Sequence, residues 1–145
     1  MYLSIHQQSL AVLSRLKMLN LLTGTIPSSF SNLPSLKHLQ LAYNSFSSSH
    51  ILSQLRNLRN LKTLILTGCN LLLCELTGMI PTELCKLSLR SLNLYENKLE
   101  GVLPPILVHS PNLYELKLFS NKLIGTLPRD LGSNSPLKHI DVSFN

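Results

Sequence analysis

The sequence has no tryptophan, and aromatic residues make up only 6% of its 145 residues. A core with so few rings must be built mainly from aliphatic side chains, above all leucine. Each buried leucine contributes about 2 kcal/mol to such a core. The shortage of large aromatic side chains therefore favours a core of stacked, near-identical leucine layers.

Acidic residues are also scarce, with 7 Asp and Glu against 13 Lys and Arg, which gives a formal net charge of +6. A basic chain attracts acidic partners such as nucleic acid or a membrane surface. The cations, however, do not cluster beyond pairs such as Arg56 and Arg59, and no aromatics alternate with them for base stacking. We therefore expect no nucleic-acid partner and no membrane contact by this segment.

Cysteines and long apolar runs are few. Cys69, Cys74 and Cys85 are an odd number and cannot all pair within the chain, and no second Cys or His pair stands at zinc-ligand spacing. We expect no metal site. The stretch 1–19 lacks the basic start and apolar run of a signal peptide, and no run approaches the roughly 18 apolar residues of a membrane span. The sequence itself thus predicts no export or anchoring signal.

A tandem repeat dominates what is present. Residues 89–112 and 113–136 form two 24-residue copies of one frame, L-x-x-L-x-L-x-x-N-x-L-x-G-x-[VIL]-P. Leucines at positions 1, 4, 6 and 11 with asparagine at position 9 are typical of a leucine-rich repeat. The sequence predicts an α/β solenoid of about five to six such repeats.

The same frame extends in both directions, with repeats starting near residues 16, 36, 61, 89, 113 and 137 and the last one truncated. We interpret residues 1–15 as the remnant of a preceding repeat or a helical cap. With Leu16 at position 1, the first repeat is four residues short. The third repeat holds two competing frames, with Cys69 or Cys74 at position 9. We favour Cys69 for the strand, which makes 72–76 a bulge.

Alternation within the frame predicts the shape of the solenoid. Positions 3 to 7 form a short strand with positions 4 and 6 inward and positions 3, 5 and 7 outward. Stacked repeats then form a parallel sheet on the concave face of a right-handed superhelix. The side chain at position 9 bonds to backbone groups in the turn after each strand. This predicted structural ladder is Asn44, Cys69, Asn97, Asn121 and Asn145.

Solenoids of this kind bind with their strand face, so candidate binding residues are the outward ones. The richest patch lies towards the C-terminal end, where we expect Tyr95 stacked over Phe119 and opposite charges on neighbouring strands. One interpretation is a solvated polar surface, and the other is a groove for an extended peptide. The predicted peptide-binding residues are Tyr95, Glu115, Lys117, Phe119, His139, Asp141 and Ser143.

Position 2 carries a basic edge of Lys37, Lys62, Arg90 and Lys138, which we interpret as a solvated stripe. Catalysis finds no support in the sequence, because His38 and His139 are four repeats apart, on the order of 20 Å. No Ser or Cys stands in a nucleophile setting and no glycine-rich phosphate loop occurs. We therefore expect neither an enzyme nor a cofactor.

Several stretches resemble a known family. The runs TGTIPSSFSNLPSLKHLQLAYNSFS, LILTGCNL, LNLYENKLEGVLPP, HSPNLYELKLFSNKLIGTLP and LGSNSPLKHIDVSFN are similar to HAESA and HAESA-like receptor kinases of plants. This resemblance implies a plasma-membrane receptor whose extracellular side binds a secreted hydroxyproline-containing peptide. It also implies recruitment of a co-receptor kinase. The outward residues given above are the positions that match the inner surface of that family.

The sequence departs from the family in several respects. It lacks a paired-cysteine cap, a transmembrane helix, a kinase domain and the Arg-x-Arg pair that reads the peptide's terminal carboxylate. Together, the resemblance and these departures favour the interpretation of a truncated and inactive ectodomain fragment. The alternative is a stand-alone interaction module or a co-receptor decoy without kinase signalling.

Overall fold

The computed structural model describes residues 14–17, 23–24, 30, 32–46, 55–68 and 76–145. Strands from six successive repeats pair side by side in one parallel sheet, in chain order. Each strand covers positions 3 to 5 of its repeat, which is shorter than the predicted positions 3 to 7. The strands are β1 (Arg15–Lys17), β3 (His38–Gln40), β5 (Thr63–Ile65), β7 (Ser91–Asn93), β9 (Glu115–Lys117) and β11 (His139–Asp141).

Short strands also follow the turn at position 9. They pair in parallel with a regular stagger of two residues. Position 12 of one repeat lies opposite position 10 of the next, as Thr77 lies opposite Lys98 and Thr23 opposite Ser45. The first such pair is β2 (Thr23–Gly24) with β4 (Ser45–Phe46), and the second group is β6 (Thr77–Met79), β8 (Lys98–Val102) and β10 (Lys122–Ile124).

The returning arms contain short helices. A 3₁₀-helix spans Leu55–Asn57, an α-helix spans Thr82–Cys85 and a second 3₁₀-helix spans Pro105–His109. The α-helix packs against both neighbours. No helix within the described residues is long and apolar enough to cross a membrane.

Leucine layers fill the space between the strands and the returning arms. Leu39, Leu64, Leu92 and Leu116 occupy position 4 of successive repeats, and each is fully buried. Ile140, which has the same position in the next repeat, is 44% exposed. Each layer is covered only by its neighbours, as expected of a solenoid. The predicted solenoid fold and its parallel sheet are confirmed.

Strand pairing revises the frame of the first repeat. Leu16 lies opposite Leu39 and therefore takes position 4, not position 1. With Gly24 at position 13, this frame makes the repeat one residue short instead of four. A leucine-rich sequence offers several leucines at similar spacing, and only hydrogen bonding selects among them.

The third repeat combines the two frames that compete in its sequence. The carbonyl of Leu66, at position 6, and the N–H of Leu76 both bond to the Asn97 amide. Leu76 is buried and therefore takes position 11, so its assignment to a bulge is wrong. Cys69 and Cys74 lie outside the described residues.

Candidate functional site: the outward face of the parallel sheet

An asparagine ladder fixes the ends of the strands. The Asn121 amide donates to the carbonyl oxygens of Leu94, Leu118 and Phe119 at 2.9 to 3.4 Å, and its oxygen accepts the Leu99 N–H at 3.0 Å. These bonds join one repeat to the next and satisfy backbone groups that would otherwise be buried without partners.

The other ladder asparagines follow the same plan. Asn97 and Asn145 repeat the four bonds one repeat before and one repeat after. The Asn44 amide donates to the carbonyl oxygens of Leu41 and Ala42. The proposed role of Cys69 falls outside the described residues.

In four of the described repeats position 8 has a left-handed backbone, which the sequence frame does not reveal. Tyr43, Glu96, Ser120 and Phe144 all have φ between 53° and 59°. This turn carries the chain from the strand to the ladder asparagine, and it leaves Tyr43 and Phe144 50% and 84% exposed. Position 8 thus adds two aromatic rings to the edge of the sheet face.

Aromatic side chains line one side of the face. Tyr95 and Phe119 stack with ring centroids 4.4 Å apart and planes inclined by 10°, which agrees with the expected geometry. The pKa of the Tyr43 phenol is raised, chiefly through its interaction with Tyr95 two repeats further on. The result is an aromatic row that runs from Tyr43 through Tyr95 to Phe119.

Two polar atoms on this face are buried without hydrogen-bond partners among the described residues, namely Thr67 Oγ1 and Asn93 Oδ1. Thr67 belongs to the repeat between Tyr43 and Tyr95, and Asn93 is on the same strand as Ser91. Polar atoms in this condition raise the free energy of the face.

Glu115 is the centre of the charged part of the face. Its carboxylate accepts a 2.7 Å hydrogen bond from the Ser91 hydroxyl and lies 2.9 Å from Lys117 Nζ. Hydrogen bonds from Ser91 and then Lys117 hold the pKa of Glu115 below its ordinary value. The carboxylate is therefore ionised and fixed in position at neutral pH.

The charges do not pair across strands as the sequence suggests. Lys117 lies beside Asp141 in the sheet register, but its ion pair is with Glu115, two residues away on the same strand and face. Asp141 Oδ1 instead accepts the hydroxyl and the backbone N–H of Ser143 at 2.7 and 3.1 Å. These hydrogen bonds hold the pKa of Asp141 below its ordinary value.

His139 also has a partner other than Glu115. Its ring meets Tyr114 edge to face at a centroid distance of 5.1 Å, and its Nε2 lies 3.3 Å from the Tyr114 hydroxyl. Tyr114 stands at position 2, in a column whose other members are basic, and the sequence interpretation overlooked it. A tyrosine in a column of basic residues is the sequence signal that could have identified Tyr114.

The outward face presents side chains that are held in position by hydrogen bonds, an ion pair and ring contacts. No group of three His, Cys, Asp or Glu side chains in the described ranges could hold a metal ion. Cys85 is buried in the returning arm, and burial raises the pKa of its thiol to about 12, so it is a poor nucleophile. The structure brings the predicted site residues together on neighbouring strands of one face.

The Leucine Rich Repeat family model matches residues 60–87 and 88–110. Together with the parallel sheet, the leucine layers and the asparagine ladder, this match defines the class of protein. The chain belongs to the leucine-rich repeat family and has the fold of plant receptor ectodomains.

The chain resembles particular receptors within this class. It is 64% identical over 33 residues to the receptor-like protein kinase HSL1 of Arabidopsis thaliana, which is 23% of this chain and 3% of HSL1. The sequence resemblance to HAESA-like kinases is thereby confirmed. The chain thus spans only a small part of this relative.

Solved structures of plant receptors share the fold. The plant peptide hormone receptor RGFR1 in complex with RGF2 has a TM-score of 0.70 and 29% identity over 94% of this chain and 25% of the receptor chain. The BIR3–SERK2 complex from Arabidopsis thaliana contains a chain with a TM-score of 0.63 and 33% identity, over 84% of this chain and 67% of that one.

Proposed function

We propose that this chain is a peptide-binding segment of a plant receptor-like kinase ectodomain. Its ligand is a secreted hydroxyproline-containing peptide, bound along the outward face of the parallel sheet on the extracellular side of the plasma membrane. The binding residues are Tyr95, Glu115, Lys117, Phe119, His139, Asp141 and Ser143. The resemblance to HSL1 and the structural likeness to RGFR1 support this proposal.

The stacked Tyr95–Phe119 pair beside the Glu115–Lys117 ion pair is the observation that carries the proposal. Aromatic faces provide large contact areas at a small cost in side-chain entropy, so they serve as anchors in many interfaces. Proline-rich segments in polyproline II conformation dock against such faces. The adjacent fixed charges orient the peptide through its backbone and polar groups.

A co-receptor kinase is the second partner that we propose, as in the family that the sequence resembles. The structural likeness to a chain of the BIR3–SERK2 complex supports contact between two ectodomains of this fold. Such a partner would contact the bound peptide and the adjacent edge of the solenoid. If it docks without peptide and is insensitive to substitutions on the sheet face, the alternative of a stand-alone interaction module is favoured.

Affinity selection tests the peptide proposal. The immobilised chain is exposed to a library of synthetic dodecapeptides with one fixed hydroxyproline, and captured peptides are identified by mass spectrometry and titrated by calorimetry. We expect Phe119→Ala to weaken binding by about 5- to 30-fold, as loss of an aromatic anchor does. Ile124→Ala is the matched control, since Ile124 is 69% exposed and lies outside the sheet face. Failure to capture any peptide contradicts the proposal.

A further inference from the structure

Three side chains at position 2 of successive repeats form a cluster that we call the tyrosine clamp, defined as Arg90, Tyr114 and Lys138. Arg90 Cζ lies 5.5 Å and Lys138 Nζ 5.9 Å from the centroid of the Tyr114 ring. The Tyr114 N–H donates to the Arg90 carbonyl at 2.8 Å, and the Lys138 N–H donates to the Tyr114 carbonyl at 3.0 Å. Backbone hydrogen bonds therefore hold all three residues in register.

The two cations of the clamp are available to a ligand. Both are exposed, and neither forms an ion pair with a carboxylate of the described residues. Glu115, next to Tyr114 in the sequence, already has partners in Ser91 and Lys117. Stacking on an aromatic ring orders long basic side chains while their charged ends stay accessible.

The phenol group is also held in place. Its oxygen lies 3.3 Å from Nε2 of His139, whose ring packs against that of Tyr114. Tyr114 is half-buried, whereas the flanking cations are exposed. The clamp thus presents an ordered aromatic surface between two positive charges.

The spacing of the cations defines what fits. Arg90 and Lys138 directly precede β7 and β11. These strands are two apart in the sheet, which corresponds to about 9.6 Å at the usual strand spacing. Three residues of a polyproline II helix advance about 9.3 Å and return to the same face. Carboxylates three residues apart on an extended peptide therefore match the two cations.

We propose that the tyrosine clamp binds an acidic, extended peptide segment with two carboxylates three residues apart. One carboxylate pairs with Arg90 and the other with Lys138, while the residues between them pass over the Tyr114 ring. This site lies at the N-terminal ends of strands β7, β9 and β11, outside positions 3, 5 and 7. Its ligand requires no hydroxyproline. It gives the basic edge a specific ligand in place of a merely solvated role.

Isomeric probes test the spacing. We would titrate the isotope-labelled chain by NMR with acetyl-Pro-Glu-Pro-Pro-Glu-Pro-amide and with isomers that place the two glutamates one or five residues apart. All have equal charge and composition, so non-specific attraction affects them alike. Each exposed ion pair contributes up to about fivefold. The three-residue spacing engages both cations and the other isomers engage one, so we expect it to bind about three- to fivefold more tightly. Equal affinity of the isomers would overturn the proposal.

Matched variants locate the site. Arg90→Gln and Lys138→Gln should each weaken binding by about three- to fivefold, whereas Lys122→Gln removes the same charge elsewhere and should leave affinity unchanged. An equal loss in Lys122→Gln would show general electrostatic attraction and would contradict the clamp. Phe119→Ala should not affect this probe, so failure of the clamp and failure of hydroxyproline-peptide binding are separate results.

Discussion

Asn121 shows how one side chain stabilises the junction between repeats. Its amide makes hydrogen bonds to four backbone groups drawn from two repeats, and the side chain is 9% exposed. We predict that Asn121→Ala lowers the free energy of unfolding by about 2–4 kcal/mol, because buried backbone groups lose their partners. Urea unfolding measures this change. Asn112→Ala at an exposed position should cost under about 0.5 kcal/mol, and equal effects would contradict the ladder's role.

Glu115 gives the face a pH dependence. Its hydrogen bonds hold its pKa below the ordinary value, so they stabilise the fold above the pKa of the unfolded state. That contribution is lost as the pH falls through the lower pKa of the folded state. We predict that the unfolding free energy of Glu115→Gln depends less on pH in this acidic range than that of the wild type. Identical pH profiles would show that the carboxylate gains nothing from Ser91 and Lys117.

Cys85 is predicted to be unreactive while the chain is folded. Burial raises the pKa of its thiol to about 12, so very little thiolate exists at pH 8. Mass spectrometry after iodoacetamide treatment should find this cysteine unmodified in the native chain and alkylated in urea. Rapid alkylation without denaturant would mean that the returning arm opens readily.

At the level of structural elements, a substitution at Gly68 tests how closely neighbouring turns approach each other. A Cβ atom at this position would lie 1.2 Å from the Glu96 carbonyl oxygen, so the backbone would have to move. Gly78 has φ of +80° but no atoms near its added Cβ, so Gly78→Ala should cost only about 1–2 kcal/mol of strain. We expect Gly68→Ala to lower the thermal midpoint clearly more than Gly78→Ala. The reverse order would contradict the packing of these turns.

Some elements of the site could be predicted from the repeat period alone. The period assigns every residue of a regular repeat to a position, so the ladder asparagines and the stacked Tyr95–Phe119 pair follow from the sequence. The choice among neighbouring polar partners does not follow. Lys117 had Asp141 and Glu115 within reach, and exposed pairs of this kind differ by only about 0.2–1 kcal/mol. The local geometry of each side chain therefore decides the pairing.

Irregular repeats were harder to predict for a similar reason. Leu16 and Leu76 each had leucine neighbours that fitted another frame, and burial of any of these side chains stabilises the core by a similar amount. Backbone hydrogen bonding removed the ambiguity, because Leu16 pairs with Leu39 and the Leu76 N–H bonds to Asn97. The left-handed turn at position 8 of four repeats is formed by four different residue types and leaves no sequence pattern.

For the whole molecule, the solenoid places different chemistries along parallel lines. One line of the sheet face carries the aromatic row of Tyr43, Tyr95 and Phe119, and the position-2 edge carries the tyrosine clamp. This geometry suits an extended ligand that crosses several strands.

Chemical-shift mapping by NMR with a captured hydroxyproline peptide tests the central claim most directly, namely that the outward face of strands β7, β9 and β11 binds peptide. We predict saturable shifts of the Tyr95 and Phe119 ring signals and of the Glu115 and Lys117 amides, with little change at Ile124. Shifts confined to the second group of strands around Ile124, or none at saturating peptide, would contradict it.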